Sequence, residues 1–173
     1  MDLFETIQAR QSVRAYQTAK VEPAKLEAIL AAANQAPSAG NLQAYQIHVV
    51  RDKKTKQALA KAALDQAFVA QAPVVLVFCA DPARSAARYG ARGEGLYCVQ
   101  DATIAAAYAQ LAATALGLAT CWVGAFDEEP VARAMHLLPG QRPIGIFTLG
   151  YPAESPPRAP RRSLAELVSD KGG

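Results

Sequence analysis

Apolar and polar positions along the chain switch between two periods, and each switch marks an element. Leu3, Phe4 and Ile7 fall on one helical face, and Asp2 precedes Glu5 at capping-box spacing, which predicts a short helix over residues 3–10. Pro23 suits the first position of a second helix, where Leu26, Ile29, Leu30 and Ala33 recur at helical spacing through Asn34. Ala36 to Asn41 is a run of turn formers. Tyr45 to Val50 is rich in strand-forming residues, and Lys53 to Ala63 is a polar-faced helix. Pro73 to Cys79 is an unbroken apolar run of the kind found in strands buried on both faces.

Residues 81–95 are polar, carry several Gly and Arg, and end in Tyr89-Gly90-Ala91-Arg92-Gly93-Glu94-Gly95, so a loop is expected. Tyr89 and Arg92 read there either as a lid that meets substrate or as a solvated loop. Leu96 to Leu116 predicts the longest helix, Ala-rich, apolar on most sides and stopped by Gly117. A helix with so little polar surface must be buried centrally or against another subunit. Thr120 to Val123 predicts a strand, Asp127 caps a helix to about Met135, and Ile144 to Tyr151 predicts another strand. The Pro-rich stretch from Pro152 to Pro160 cannot build a core of its own and is expected to lie along something else, such as a neighbouring subunit, before a last helix from Leu164 to Val168. No repeat is visible. The expectation is one domain over residues 1–173 with a C-terminal arm at 152–173.

Composition narrows the function. With 51% hydrophobic and 19% charged residues, the chain can bury a sizeable core and is not disordered. A net charge of +3, with no interleaved basic and aromatic run, speaks against nucleic acid and for a discrete small anion. The start lacks the basic and apolar regions of a signal peptide, and Gln100, Asp101 and Gln110 interrupt the long helix, so neither export nor a membrane span is expected. Cys79, Cys98 and Cys121 sit in apolar runs without a metal pattern. They read as reduced core thiols and point to the cytoplasm. His48 and His136 are too isolated for metal ligation, and no metal is expected.

Chemistry concentrates in a few places. Arg10-Gln11-Ser12-Val13-Arg14 sets two guanidiniums and a hydroxyl where the first helix gives way to extended chain. Arg158, Arg161 and Arg162 form a second basic group. Guanidinium forks bind phosphate by paired, charge-assisted hydrogen bonds, although either group alone reads equally as a solvated patch. Nucleophile elbow, dinucleotide fingerprint and Walker loop are all absent. What remains is a small-residue loop with Asn41 and Gln43, and the turn Trp122-Val123-Gly124-Ala125-Phe126 after a strand. Exposed backbone N–H groups of such turns suit a flat heteroaromatic ring, and the shortage of catalytic side chains favours a cofactor that carries the reaction. On residue type alone, Trp122 serves as well as a core residue, and Gly40 and Asn41 as turn formers.

Taken together these pieces resemble the flavin-dependent nitroreductase family, of the short type. Arg10-x-Ser12-x-Arg14, Ala36-Pro37-Ser38-Ala39-Gly40-Asn41-Leu42-Gln43, Ala72-Pro73, Ala115-Leu116-Gly117-Leu118-x-x-Cys121-Trp122-Val123-Gly124-Ala125-Phe126, Leu149-Gly150-Tyr151-Pro152 and Pro160-Arg161-Arg162-x-Leu164 resemble its landmarks in the right order from about residue 2 to residue 168. The resemblance implies an α+β, nitroreductase-like three-layer sandwich, with a mixed central sheet flanked by helices. It implies an intertwined homodimer with FMN at each subunit interface. Arg10, Gln11, Ser12 and Arg14 would hold the phosphate and ribityl–pyrimidine end, and Arg161 with Arg162 would complete the phosphate site. Pro37, Ser38 and Asn41 would reach the flavin of the other subunit. Trp122, Val123 and Gly124 would stand behind the ring, with the Gly124 N–H near N5, and Gln66 near the pyrimidine edge.

No side chain is implied as catalytic. NADH or NADPH would reduce the flavin, and a nitroaromatic, quinone or similar small electron acceptor would reoxidise it in a ping-pong cycle. Alternatives on the same fold are dehydrogenation, dehalogenation, flavin reduction, flavin fragmentation, or non-catalytic flavin binding. Larger relatives carry a helical wall before the long helix. A loop at 81–95 would leave the substrate face open, and no clamp for a nicotinamide 2′-phosphate is identifiable.

Overall fold

The structure is a computed structural model and describes residues 1–171. Helix α1 (Leu3–Ala9) starts at the Asp2 capping box, in which Glu5 N donates to Asp2 Oδ1 and Asp2 N to Glu5 Oε2, both at 2.8 Å. Helix α2 (Pro23–Asn34) turns Leu26, Ile29 and Ala33 inward. Strand β1 (Tyr45–Val50) leads to α3 (Lys53–Ala62), capped by Asp52, then to α4 (Phe68–Gln71) and strand β2 (Val74–Ala80), every residue of which is buried. Helix α5 (Pro82–Arg92), a π-helical turn (Gly93–Tyr97) and α6 (Cys98–Ala115) follow. Strand β3 (Ala119–Val123), helix α7 (Glu128–Met135), strand β4 (Arg142–Gly150) and helix α8 (Leu164–Leu167) complete the chain. Asp127 stands at the N-cap of α7 in extended geometry, but its side chain makes no capping bond.

The sheet order is β1-β2-β4-β3 and all three strand pairs are antiparallel. The parallel component is a single bridge, Ser12 to Thr120, which lays the segment after α1 along the outer edge of β3. Because β2 and β4 are central and covered on both faces, they read as continuous apolar runs. On one face Leu76, Phe78, Phe147 and Leu149 pack with Leu26 and Ile29 of α2 and with Ala105, Ala106, Ala109 and Ala113 of α6. On the other, Val75, Val77, Cys121 and Ile146 pack with Leu59, Val69 and Val131 of α3, α4 and α7. The buried alanines of α6 let two helices approach closely, so the long helix serves as the central element that its composition suggested.

Residues 81–95 are not the expected loop. Asp81 Oδ1 accepts from Arg84 N at 3.0 Å and Pro82 takes the first turn, so a helix starts where the Gly content suggested none. The glycines have other work. Gly90 carries the kink at φ 55, and Gly93 lets the π-turn pack on α5: a Cβ there would lie 2.5 Å from the Ser85 carbonyl oxygen.

After Gly150 the chain runs without regular structure through the exposed Pro-rich arm to α8. Of the arm expected at 152–173, the last two residues lie outside the described residues.

Candidate functional site

Helix α1 ends at Arg10, whose N–H donates to Thr6 O, and the chain then runs extended beside β3, with Val13 N donating to Thr120 O at 3.0 Å. Extension sends alternate side chains apart: Val13 is buried and Arg14 points outward. The root of the arm is stapled to the same segment. Gln17 N donates to Tyr151 O and Ala153 N to Ala15 O, both at 2.9 Å. Glu154 Oε1 accepts from the N–H of Arg14 at 2.6 Å and of Ala15 at 3.1 Å. This turn of the arm brings Pro156, Pro157, Arg158, Ala159 and Arg161 opposite Arg10, Gln11, Ser12 and Arg14 around a cavity of about 480 Å³.

Four guanidiniums therefore line one cavity. Among the described residues the ion pairs are Glu129–Arg133 and Glu128–Arg142, and none of the four takes part in them. Like charges gathered without a carboxylate partner are costly unless an anion joins them. Gln11 Oε1 is buried with no partner, an acceptor suited to a ligand hydroxyl. Arg14 lies over the Phe68 ring, 5.9 Å from its centroid, which fixes one donor fork. The positive field reaches into β3. Burial pushes the Cys121 thiol upward in pKa, while Arg14, a Ser12 hydrogen bond and Arg10 pull it back.

The turn after β3 stands near this cavity through the α3–α4 corner. Gln66 Nε2 donates to Ala63 O at 2.9 Å and to Ala125 O at 3.3 Å, while Phe68 sits beneath Arg14. Leu64 and Asp65, just before Gln66, hold φ of 56° and 57°, a left-handed conformation costly for such residues and often found at functional sites. Trp122 packs its ring on Gly145, and Val123 is buried in the sheet core, so both offer backbone rather than side chain. Gly124 is exposed beside a small cleft with Val99, Phe126 and Arg142.

Pro37, Ser38 and Asn41 lie elsewhere. Pro37 and Ser38 line a second, largely apolar cavity of about 570 Å³, with Tyr97, Val99, Asp101 and Ile104. The buried Asp101 carboxylate shapes this loop by accepting from Ala39 N at 2.9 Å and Ala44 N at 3.3 Å. Ser38 Oγ accepts from Gln43 N at 3.0 Å, and Arg84 and Arg88 of α5 donate to Leu42 O and Gly40 O. Within one chain, then, the structure gathers Arg10, Gln11, Ser12, Arg14 and Arg161 and holds Gln66 against the turn. It leaves Pro37, Ser38 and Asn41 apart. Arg162 turns away to donate to Glu166 O at 2.8 Å and does not line the cavity. Arg158 takes that place, and its charge in the sequence was the only signal for it. Phe68, Glu154 and Asp101 had none, because their partners lie far away in the chain.

A three-layer α+β sandwich thus carries, between its first segment and its arm, a cavity lined by arginines, donors of the kind that match phosphate oxygens. A sequence profile of the Nitroreductase family matches residues 7–71 and 61–151, and the chain belongs to that family. It is 36% identical to an NADH dehydrogenase of Thermus thermophilus, over 92% of this chain and 91% of that one. It is 30% identical to an FMN reductase [NAD(P)H] of Bacillus subtilis, over 92% and 70% respectively. The NADPH:FMN oxidoreductase of Vibrio harveyi, solved in complex with NAD+, superposes with a TM-score of 0.90 at 27% identity, over 99% of this chain and 77% of that one.

Proposed function

We propose that this chain is an FMN-dependent oxidoreductase that draws electrons from NADH or NADPH and passes them to a small electrophilic acceptor, a nitroaromatic or a quinone. The observation that carries the reading is the unpaired arginine cavity. Its donors fit a phosphate monoester, and the orphaned Gln11 Oε1 fits a ribityl hydroxyl. Bound FMN supplies hydride acceptance and release. The protein's part is to hold and orient it. Arg10, Ser12, Arg14, Arg158 and Arg161 would fix the phosphate. Gln66 and the backbone of Trp122, Val123 and Gly124 would border the ring, with no side chain required as a general acid.

Pro37, Ser38 and Asn41 would serve the site of the partner subunit in a homodimer. Two features support this: the separation of their cavity from the arginines, and the outward apolar faces of α1 (Leu3, Phe4, Ile7) and α8 (Leu164, Leu167). In each subunit one domain is followed by the arm that begins at residue 152. Anaerobic titration of the flavin-loaded protein tests the reading. NADH or NADPH should bleach the oxidised-flavin absorption, and a quinone should restore it. Flavin that neither nicotinamide can bleach would refute the reading. Mixing Asn41→Ala and Arg161→Ala chains should regenerate one intact site per mixed dimer, and a mixture no more active than its parents would refute the shared site.

A further inference from the structure

We propose that the arginine row of α5, Arg84, Arg88 and Arg92, takes the 2′-phosphate of NADPH and so selects it over NADH. Each guanidinium is pinned by one inward bond. Arg84 Nε donates to Leu42 O, Arg88 Nη1 to Gly40 O at 3.3 Å and Arg92 Nε to Tyr97 Oη at 3.0 Å. Arg84 and Arg92 thereby keep both terminal nitrogens for a ligand, the fork that matches phosphate oxygens. Arg84 and Arg88 are one helical turn apart. The Gly90 kink separates Arg92 from them along the helix, and an aromatic pair links Arg88 to Arg92 through successive contacts. Arg88 lies 5.4 Å from the Tyr89 centroid, Tyr89 meets Tyr97 edge to face, and Arg92 lies 5.4 Å from the Tyr97 centroid.

None of the three arginines joins either ion pair of the described residues, and all three are exposed. Like charges one turn apart destabilise a helix slightly, so an unpartnered row is better matched to an anion than to solvent. The row borders the loop of Gly40 and Leu42, and Tyr97 lines the cavity that also holds Pro37 and Ser38. The proposal rests on the reading above, in which that loop reaches a flavin. A dinucleotide with its nicotinamide on that flavin would extend its adenosine half outward across the row.

The test uses flavin-loaded protein and two probes that differ only in the group in question, adenosine 2′,5′-bisphosphate and 5′-AMP, measured by calorimetry. Wild type should bind the bisphosphate roughly tenfold to a hundredfold more tightly, the scale of one or two charge-assisted contacts. Arg92→Ala should remove most of that preference and Arg92→Glu should abolish it, while flavin content and spectrum stay unchanged, because Arg92 bonds neither the Gly40 loop nor the phosphate cavity. The ratio of KM for NADH to KM for NADPH should fall in parallel. Equal binding of the two probes by wild type, or a preference that survives Arg92→Glu, overturns the proposal. If the Arg92-dependent preference is present but neither nicotinamide reduces the flavin, the row stands and the functional reading falls.

Discussion

Glu154 is the residue whose removal best tests the proposed phosphate site apart from folding. Its carboxylate accepts from two successive N–H groups, of Arg14 and Ala15, and so joins the arm to the segment that carries Arg10 and Ser12. A charge-assisted bond is worth roughly 1.5–3 kcal/mol when dry, but Glu154 is exposed, so about 1–1.5 kcal/mol for the pair is a fairer figure. Glu154→Ala keeps the other staples, Ala153 N to Ala15 O, Gln17 N to Tyr151 O and Gln17 Nε2 to Pro152 O. What it frees is the arm beyond, with Arg158 and Arg161. The expected cost is about tenfold in FMN affinity, since about 1.4 kcal/mol is one decade. Riboflavin, which lacks the phosphate, should bind as before. Glu154→Gln retains an acceptor oxygen and should lose less than about threefold. Quenching of flavin fluorescence during titration of the apoprotein reads all of these. An equal loss for both flavins would mean general damage, and no loss for FMN would mean that the arm needs no staple; either result refutes the reasoning.

Three further outcomes follow from the packing. Gly145→Ala places a Cβ 2.5 Å from the Trp122 ring on a buried central strand, and overpacking of that kind should cost about 1–3 kcal/mol in chemical denaturation; an unchanged midpoint would show that the ring yields freely. Asp101→Asn turns one of two accepting oxygens into a donor facing an N–H, so amide exchange at Ala39 or Ala44 should quicken and stability should fall by about 1–3 kcal/mol, with unchanged protection the refuting result. Burial raises the Cys79 thiol from 9.0 to about 12 and raises Cys98 and Cys121 as well. The folded state holds these protons after the unfolded chain has lost them, so stability is full below the ordinary thiol pKa and falls as pH rises above it. Denaturant midpoints at pH about 8 and about 10.5 should show that fall, and a flat profile would refute it.

The elements that were legible in the sequence announce themselves locally. Asp2 and Glu5 cap α1, Pro23 opens α2, and the unbroken run to Cys79 marks a buried strand. The two basic groups also stand out in the sequence, and the structure brings Arg10, Arg14, Arg158 and Arg161 of them around one cavity. Helix α5 was obscured because Gly90 and Gly93 look like loop formers, whereas one makes a kink and the other a close helix contact; Asp81-Pro82 was the better signal. The exchange of Arg162 for Arg158 depends on how the arm turns, which is set by Glu154, some 140 residues from the N–H it binds. Asp101 likewise shapes a loop 62 residues away. Contacts at such separations leave no periodic trace.

The central claim is that the arginine cavity holds a flavin phosphate, and the most direct measurement compares FMN with riboflavin on the wild-type apoprotein by titration calorimetry. Two or more charge-assisted contacts to one phosphate predict FMN binding at least roughly a hundredfold tighter, with a preference that shrinks as salt screens the charges. Equal affinities for the two flavins would contradict the account.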